Sequence, residues 1–262
     1  MSNIRANYHT HIQRCLHATG DAVDYAKDAV QKGLSILGIS DHMPFPDDRF
    51  GLVMLYADVE DYLQEVAAVK EQFQGQLKVL CGFEGDYFAK DWKYYESLLQ
   101  KENCDYLILG QHFFETDGSE LGYTFEIKDT SFYETLSEQM VAGMRTGYFQ
   151  YLAHPDLMFF NVHDWDIHCE RALDTLIDGA IKYDFAFEYN ANGLRRGLKE
   201  YPDGVRYPYP HHQLWERVKN TNIKVFVGSD CHNPEKLWDE SVVKAYHDLA
   251  QYGIIPQTHL NF

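Results

Sequence analysis

Seven short apolar runs are distributed over the whole chain, and most segments between them have helical periodicity. Each run is rich in β-branched, aromatic or leucine residues, which is typical of a buried strand. The predicted strands are 4–8, 35–39, 77–83, 105–109, 148–152, 185–189 and 223–227. The predicted helices are 21–32, 58–73, 92–101, 131–145, 168–182, 213–220 and 240–252. Strands that alternate with helices pair in parallel through right-handed crossovers, which predicts an α/β fold.

Histidines and carboxylates follow nearly every one of these runs. They are His9, His11, Asp41, His42, Glu84, His112, His154, Asp230 and His232. In a closed barrel of parallel strands all carboxyl ends open onto one face, whereas an open sheet gathers its site only at a switch point. We therefore expect a distorted seven-stranded (β/α)7 TIM-like barrel with its site at the carboxyl ends of the strands. No internal repeat or linker is visible, so residues 1–262 are expected to form a single domain.

Composition restricts the possible partners. The net charge of -17 disfavours nucleic acid, because proteins that bind the phosphate backbone present basic patches. No signal-peptide pattern and no apolar run near the roughly 20 residues of a membrane span are present. The five cysteines are odd in number and widely spaced, which indicates reduced thiols in a cytoplasmic protein. We expect a small-molecule partner, and the oligomeric state, a homo-oligomer included, stays open.

Two pairs of potential metal ligands have the same spacing. His9 and His11 lie two residues apart, so on a strand they face the same side, and Asp230 and His232 repeat this geometry. A single pair of this kind can also be a core feature, but two pairs after predicted strands favour metal binding. The full set of nine candidates adds His17, His42, Glu84, His112 and His154. Nine ligands suffice for three divalent ions with open positions for water and substrate.

These residues resemble the motifs of the PHP (polymerase and histidinol phosphatase) superfamily. The opening segment from His9 to His17 is similar to the first motif, and Cys15 is similar to the histidinol-phosphatase branch. Ser40-Asp41-His42, Gly82-Phe83-Glu84, His112, Ala153-His154-Pro155-Asp156 and Gly228-Ser229-Asp230-Cys231-His232 match the later motifs in order. The resemblance covers essentially the whole chain.

The resemblance implies three divalent ions, which can be zinc, iron or manganese. It assigns His9, His11, Glu84 and Asp230 to the first ion, Glu84, His112 and His154 to the second, and His17, His42 and His232 to the third. It implies hydrolysis of L-histidinol phosphate in histidine biosynthesis, with Asp41, Glu84 and Asp230 as the catalytic carboxylates. The expected reaction is attack of a metal-bound hydroxide on the phosphate monoester. Asp41, adjacent to His42, is expected to orient a ligand or transfer a proton, or else to form a local hydrogen bond.

Candidate substrate contacts follow the strand at 185–189. The segment Asn190 to Arg196 is similar to the histidinol-phosphatase segment in which the arginine after Gly-Leu contacts the phosphate, so Arg195 is preferred over Arg196. Glu188 and Asn190 could face the pocket, with Glu188 on a substrate amine, or could form hydrogen bonds in the core. Met158 and Phe159 stand where family members often carry a basic residue.

Two other functions fit parts of the pattern. The same metal chemistry could act on another small phosphate ester or on a nucleotide. Alternatively, the chain could be a metal-stabilised interaction module without catalysis, although a complete set of nine ligands argues against this reading.

Overall fold

A computed structural model of the chain describes residues 4–116, 120–161, 164–202 and 204–260. The strands are β1 (Ala6–Asn7), β2 (Ile36–His42), β3 (Lys78–Gly85), β4 (Tyr106–Leu109), β5 (Phe113–Glu115), β6 (Leu121–Tyr123), β7 (Tyr151–Leu152), β8 (Ala186–Asn190), β9 (Lys199–Tyr201), β10 (Gly204–Arg206) and β11 (Val225–Gly228). The helices are α1 (Ala22–Gln31), α2 (Val59–Gln72), α3 (Trp92–Leu99), α4 (Phe132–Met144), α5 (Ile167–Lys182), α6 (Ala191–Arg195), α7 (His212–Val218) and α8 (Glu240–Gln251).

Seven strands form one parallel sheet in the order β1-β2-β3-β4-β7-β8-β11. The first and last strands approach each other beyond their ends, where Thr10 and Cys231 form a parallel bridge. The His11 N–H donates to the Cys231 carbonyl over 3.0 Å, and the Asp230 N–H donates to the His9 carbonyl over 2.9 Å. This closure confirms the predicted seven-stranded barrel.

Alternation along the strands separates an inner from an outer face. The inner cluster contains Ile36, Leu80 and Ala186, while the outer faces pack with the helices in a second, larger cluster. Glu84 lies four residues after Leu80, and Glu188 lies two after Ala186, so both carboxylates point into the barrel near its carboxyl end. Along the inward face of each of these strands, apolar residues in the barrel interior are therefore followed by a carboxylate near the carboxyl end.

Two glycines, one at the end of strand β11 and one directly after strand β4, leave room for these carboxylates. A Cβ atom on Gly228 would lie 1.7 Å from Glu188 Oε1, and a Cβ atom on Gly110 would lie 2.7 Å from Glu84 Oε1. No side chain could replace hydrogen at either position without displacing the acid.

Three small features were not predicted. The hairpins β5–β6 and β9–β10 and the helix α6 fall in segments that the sequence indicates as irregular. Helix α6 begins after Asn190, whose Oδ1 accepts hydrogen bonds from the N–H groups of Asn192 and Gly193 over 2.8 and 3.3 Å. A helix of five residues is too short to show a periodic pattern. Within the described ranges, no helix has the length and apolarity needed to cross a bilayer.

Candidate metal centre

The nine predicted ligands converge at the carboxyl end of the barrel. Eight of them lie at the end of a barrel strand or within four residues beyond one, and His17 follows a short 3-10 helix at Gln13–Cys15. The rings of His17 and His232 are 4.6 Å apart, and those of His112 and His154 are 5.0 Å apart. Residues from both ends of the chain thus meet in one cluster.

Four donor atoms form the deepest part of this cluster. His9 Nε2 lies 3.0 Å from His11 Nε2 and 3.3 Å from Glu84 Oε1. His11 Nε2 lies 3.4 Å from Asp230 Oδ1. Ligand atoms around a tetrahedral ion with bonds of about 2.0–2.1 Å are separated by about 3.3 Å. His9, His11 and Glu84 have donor atoms within 4.8 Å of one another, and Asp230 forms another such group with His9 and His154, so this part of the cluster has the donor types and close spacing that a divalent ion requires.

Glu84 occupies the centre of the cluster. His154 Nε2 lies 2.8 Å and His112 Nε2 3.7 Å from its Oε1 atom, while His42 Nδ1 lies 3.0 Å from its Oε2 atom. Glu84 Oε2 is enclosed and has no hydrogen-bond partner among the described residues. Such a polar atom is costly to bury, and an ion bound between these histidines would satisfy it. The site therefore fits divalent metal ions, with Glu84 able to bridge two of them.

His42 connects the inner and outer parts of the cluster. Its donor atoms fall in one possible ligand group with Glu84 and His112, and in another with His11 and His232. A further group consists of His9, His154 and Asp230. These groups share residues, so the donors form one contiguous cluster, and these distances do not divide it into the three ligand sets that the family resemblance implies.

Glu188 supports the ligands from behind. Its Oε1 atom lies 2.8 Å from His9 Nδ1, and its Oε2 atom accepts hydrogen bonds from the His154 N–H and from Asn190 Nδ2. A carboxylate in this position holds the imidazole proton on Nδ1 and leaves Nε2 for a metal. Glu188 is fully buried and does not line the cavity, so the expected contact with a substrate amine does not agree with the structure.

Asn190 is also a supporting residue rather than a substrate contact. Its Nδ2 group donates to Asp230 Oδ2 over 3.2 Å, and Asn192 Nδ2 donates to the same oxygen over 3.2 Å. Because Asn190 Oδ1 caps helix α6, both halves of this buried amide are occupied. The two amides hold one oxygen of Asp230 and leave the other facing the histidines.

Asp41 lies on the opposite face of strand β2 from His42. Its Oδ1 atom is 3.5 Å from His11 Nδ1 and accepts a hydrogen bond from the His42 N–H over 2.9 Å. The side chain is fully buried and Asp41 does not line the cavity, so it is placed to orient His11 and not to contact a substrate. The catalytic role of Asp41 stays a prediction, and this position is compatible only with an indirect one.

Burial and neighbouring charges set the protonation of the ligands. Burial, reinforced by His11, lowers the pKa of His42 to about 4 and that of His232 to about 2. Both imidazoles are therefore neutral, the form that binds a metal. Burial raises the pKa of Glu84, but nearby His112 and His9 outweigh it and hold that pKa well below its ordinary value. The central carboxylate is consequently ionised.

The backbone is left-handed at three equivalent positions. Gln111, His154 and Asp230 have φ angles of 45°, 29° and 44°, and each lies two residues beyond the last residue of its strand. Non-glycine residues adopt this region at a cost of about 1–3 kcal/mol, and such strain concentrates at functional sites. The sequence does not indicate the left-handed backbone at these three residues, so only the structure shows how the chain turns back over the mouth of the barrel.

A cavity of about 780 Å³ opens above the cluster. One wall is built from stacked rings: Phe50 lies 4.3 Å from Phe113, which lies 4.8 Å from Tyr123, and Tyr123 contacts Phe125 over 5.4 Å. Asp86, Asn192 and Arg196 contribute the polar lining beside the ligands. Asp86 and Asn192 were not predicted as site residues, although Asp86 follows Glu84 at the strand spacing of two.

The two adjacent arginines have different surroundings. Arg195 donates to the Asp239 carboxylate over 2.8 and 3.1 Å and to the Ser229 carbonyl over 2.5 Å, so its guanidinium is held away from the cavity. Arg196 lines the cavity and donates through Nε to the Tyr209 hydroxyl over 3.2 Å. The structure therefore corrects the preference for Arg195 and assigns the available guanidinium to Arg196.

Comparison with known proteins gives one family. The model of the PHP domain matches residues 7–192. A protein of Deinococcus radiodurans named probable histidinol-phosphatase is 29% identical over 235 residues, which cover 86% of this chain and 85% of the relative. The histidinol-phosphatase of Bacillus subtilis is 25% identical over 253 residues, with 86% and 92% covered.

Among solved structures, the histidinol phosphate phosphatase of Lactococcus lactis, complexed with zinc, L-histidinol and phosphate, superposes with a TM-score of 0.72. The alignment covers 98% of this chain and 97% of the other at 16% identity. At this identity the similarity concerns the fold.

Proposed function

Because the chain belongs to the PHP domain family, we propose that it is a metal-dependent phosphomonoesterase that hydrolyses L-histidinol phosphate to L-histidinol and phosphate in histidine biosynthesis. The observation that carries this proposal is the convergence of nine metal-ligand side chains beneath a cavity that also contains a guanidinium. The relatives named histidinol-phosphatase over most of the chain support the substrate. The zinc, L-histidinol and phosphate bound to the Lactococcus lactis protein support it further.

We propose three divalent ions, of which zinc is supported by that relative, with iron or manganese as alternatives. His9, His11, Glu84 and Asp230 would hold the first ion, and Glu84, His112 and His154 the second. His17, His42 and His232 would hold the third. When bound, such ions lower the pKa of water to give a nucleophile near neutral pH and neutralise charge on the phosphate oxygens.

The remaining side chains bind and orient. Arg196 supplies charge-assisted hydrogen bonds to the phosphate, since its terminal nitrogens have no hydrogen-bond partner among the described residues. Glu188 fixes the ring of His9, Asp41 lies 3.5 Å from Nδ1 of His11, and Asn192 donates a hydrogen bond to Asp230. The apolar rings around the mouth reduce access of bulk water, which strengthens the electrostatic interactions inside.

We also infer the domain organisation and the location of the chain. We propose that residues 1–262 form a single domain, which is supported by the pairing of Thr10 with Cys231 across the barrel seam. We also propose a cytoplasmic location, because all five cysteines are free and buried, as suits a reducing compartment.

A panel of phosphate monoesters tests the function. We expect kcat/KM of the zinc- or manganese-loaded protein to be highest for L-histidinol phosphate, above p-nitrophenyl phosphate, glycerol phosphate and a nucleoside monophosphate. Equal values for L-histidinol phosphate and p-nitrophenyl phosphate would reject the assigned substrate. Absence of activity on the whole panel after metal loading would reject the phosphatase itself.

A further inference from the structure

Asp86 is a buried acid at the cavity that the proposed metal centre does not use. It follows the end of strand β3 and lies two residues after Glu84, so it also faces the mouth of the barrel. Three carboxylates line the cavity within the described ranges: Glu84, Asp86 and Asp230. The other two are surrounded by imidazoles at ligand distance, which leaves Asp86 available for a different cation.

One oxygen of Asp86 is already engaged and the other is open. Oδ1 accepts a hydrogen bond from the His112 N–H and lies 3.7 Å from His112 Nδ1. Oδ2 has no hydrogen-bond partner among the described residues. Unlike Glu84 Oε2, it is not fully enclosed by protein atoms. Asp86 lines the cavity and is only 5% exposed, so Oδ2 is the carboxylate oxygen that is left for a ligand in the cavity.

The charges at the cavity have complementary signs at separate places. Arg196 is held among the rings of Phe125, Phe160 and Tyr209, at 5.4, 5.3 and 5.7 Å. Tyr123 lines the same cavity as Arg196 and Asp86. A cavity with one guanidinium and one spare carboxylate suits a substrate that carries an anion and a cation.

We propose that Asp86 determines specificity by binding the ammonium group of an amino-alcohol phosphate, a role that rests on the proposed phosphatase function. In L-histidinol phosphate only two carbon atoms separate the amine from the ester oxygen, so the amine must lie beside the metal cluster when the phosphate is bound there. Asp86 contacts the backbone of the ligand His112 and therefore has this position. A charge-assisted hydrogen bond to an ionised carboxylate would discriminate against esters that lack the amine.

The test compares L-histidinol phosphate with 3-(imidazol-4-yl)propyl phosphate, which differs only by the missing amine. We expect the wild-type kcat/KM to be roughly 10- to 100-fold higher for the amine-bearing ester. In Asp86→Asn, which keeps an oxygen for the His112 N–H, this preference should fall to within about threefold while activity on the analogue is retained. Glu115→Gln removes the same charge from the nearby strand β5, outside the cavity lining, and should keep the preference.

The outcomes separate the possible roles of Asp86. An equal loss on both esters would show that Asp86 acts only through His112 and would overturn the proposal. A wild-type enzyme that treats the two esters alike would overturn it without any variant. Failure of the proposed function has a different signature, namely wild-type kcat/KM for L-histidinol phosphate no higher than for p-nitrophenyl phosphate.

Product binding supplies a readout that does not require turnover. By calorimetry, metal-loaded wild-type protein should bind L-histidinol at least about tenfold more tightly than 3-(imidazol-4-yl)propan-1-ol, and Asp86→Asn should remove that difference. Equal affinities of the wild type for the two alcohols would contradict an ammonium contact.

Discussion

At the scale of single residues, Arg195 and Arg196 show how neighbours acquire different functions. Both lie at the end of helix α6, where successive residues point about 100° apart. That rotation directs Arg195 to Asp239 and Arg196 to the cavity. One arginine therefore fastens the helix, and the other is free to bind an anion.

Exchange of each arginine for glutamine separates these roles. Arg196→Gln should raise KM for the phosphate ester roughly 10- to 100-fold, since a charge-assisted contact contributes about 1.5–3 kcal/mol. Arg195→Gln should leave KM near the wild-type value and lower the free energy of unfolding by roughly 1–3 kcal/mol, because the mostly buried Asp239 loses its partner. Steady-state kinetics and urea unfolding of both variants check this. A larger KM effect at Arg195 than at Arg196 would reinstate the sequence-based preference.

The convergence of the candidate metal ligands could be predicted from sequence, whereas the residues that support them could not. His9, His11, Glu84 and Asp230 carry donor groups and follow recognisable strands, and parallel strands force such ends together. The role of Glu188 depends on which partner lies within hydrogen-bond distance across the barrel. That distance is set by tertiary packing and by the space at Gly228, which no local pattern encodes.

At the scale of elements, the seven barrel strands and seven of the eight helices match their predicted positions within a few residues. Hydrophobic periodicity is strong in these segments because each buries one face. The exception is α6, whose five residues follow the cap formed by Asn190. The preference for Arg195 comes from the similarity of the Gly-Leu-Arg segment to the family, and without this helix the sequence offers no rotation by which to distinguish the two adjacent arginines.

The residue that caps the amino end of helix α7 is the buried His211. His211 Nδ1 accepts a hydrogen bond from the Gln213 N–H over 3.3 Å, and the ring stacks on Trp165 at 4.9 Å. Burial, together with the charges of Arg206 and His212, lowers the pKa of His211 to about 3. The imidazole therefore has to remain neutral in the folded protein.

This cap predicts a pH dependence of stability. The folded pKa of His211 is below the unfolded value of 6.5, so its contribution is complete above pH 6.5 and is lost as the pH falls toward 3. Between pH 7 and 5, protonation of His211 in the unfolded chain alone should lower the free energy of unfolding by roughly 2 kcal/mol. His211→Asn keeps a capping acceptor but does not titrate. Between pH 7 and 5 the free energy of unfolding of this variant should therefore fall by about 2 kcal/mol less than that of the wild type.

Urea unfolding at pH 7 and pH 5, in the presence of chelator, measures the difference. An exposed histidine on helix α8 serves as the control, because His247→Asn should lose as much stability on acidification as the wild type. Equal pH dependence in wild type and His211→Asn would show that His211 titrates normally.

At the scale of the whole molecule, the metal centre lies across the seam of the barrel. His9 and His11 come from the beginning of the chain, and Asp230 and His232 come from near its end. A chain with a net charge of -17 gathers seven imidazoles there, so the proposed ions would make this region locally positive and favourable for a phosphate ester. The same ions would connect distant segments only in the folded state, which would couple metal binding to stability.

Metal removal should therefore lower the thermal stability of the whole barrel. An ion that binds only the folded chain, at about 100 times its Kd, contributes about 2.7 kcal/mol. For a chain of this size, about 1 kcal/mol corresponds to roughly 2–4 °C in Tm, so each ion should add roughly 5–10 °C. Scanning calorimetry before and after EDTA treatment, and again after addition of zinc, measures the shift, with zinc-saturated EDTA as the control for the chelator.

A supporting carboxylate provides the matched variant for this measurement. Glu188→Gln keeps the shape of the side chain but weakens the orientation of His9, and such changes typically cost about 10- to 100-fold in metal affinity. At the same free zinc concentration its metal-dependent Tm shift should be smaller than that of the wild type, whereas Glu200→Gln on the exposed strand β9 should show the full shift. A wild-type Tm unaffected by chelation would mean that the histidine cluster holds the barrel seam without metal, and would remove the basis for the proposed chemistry.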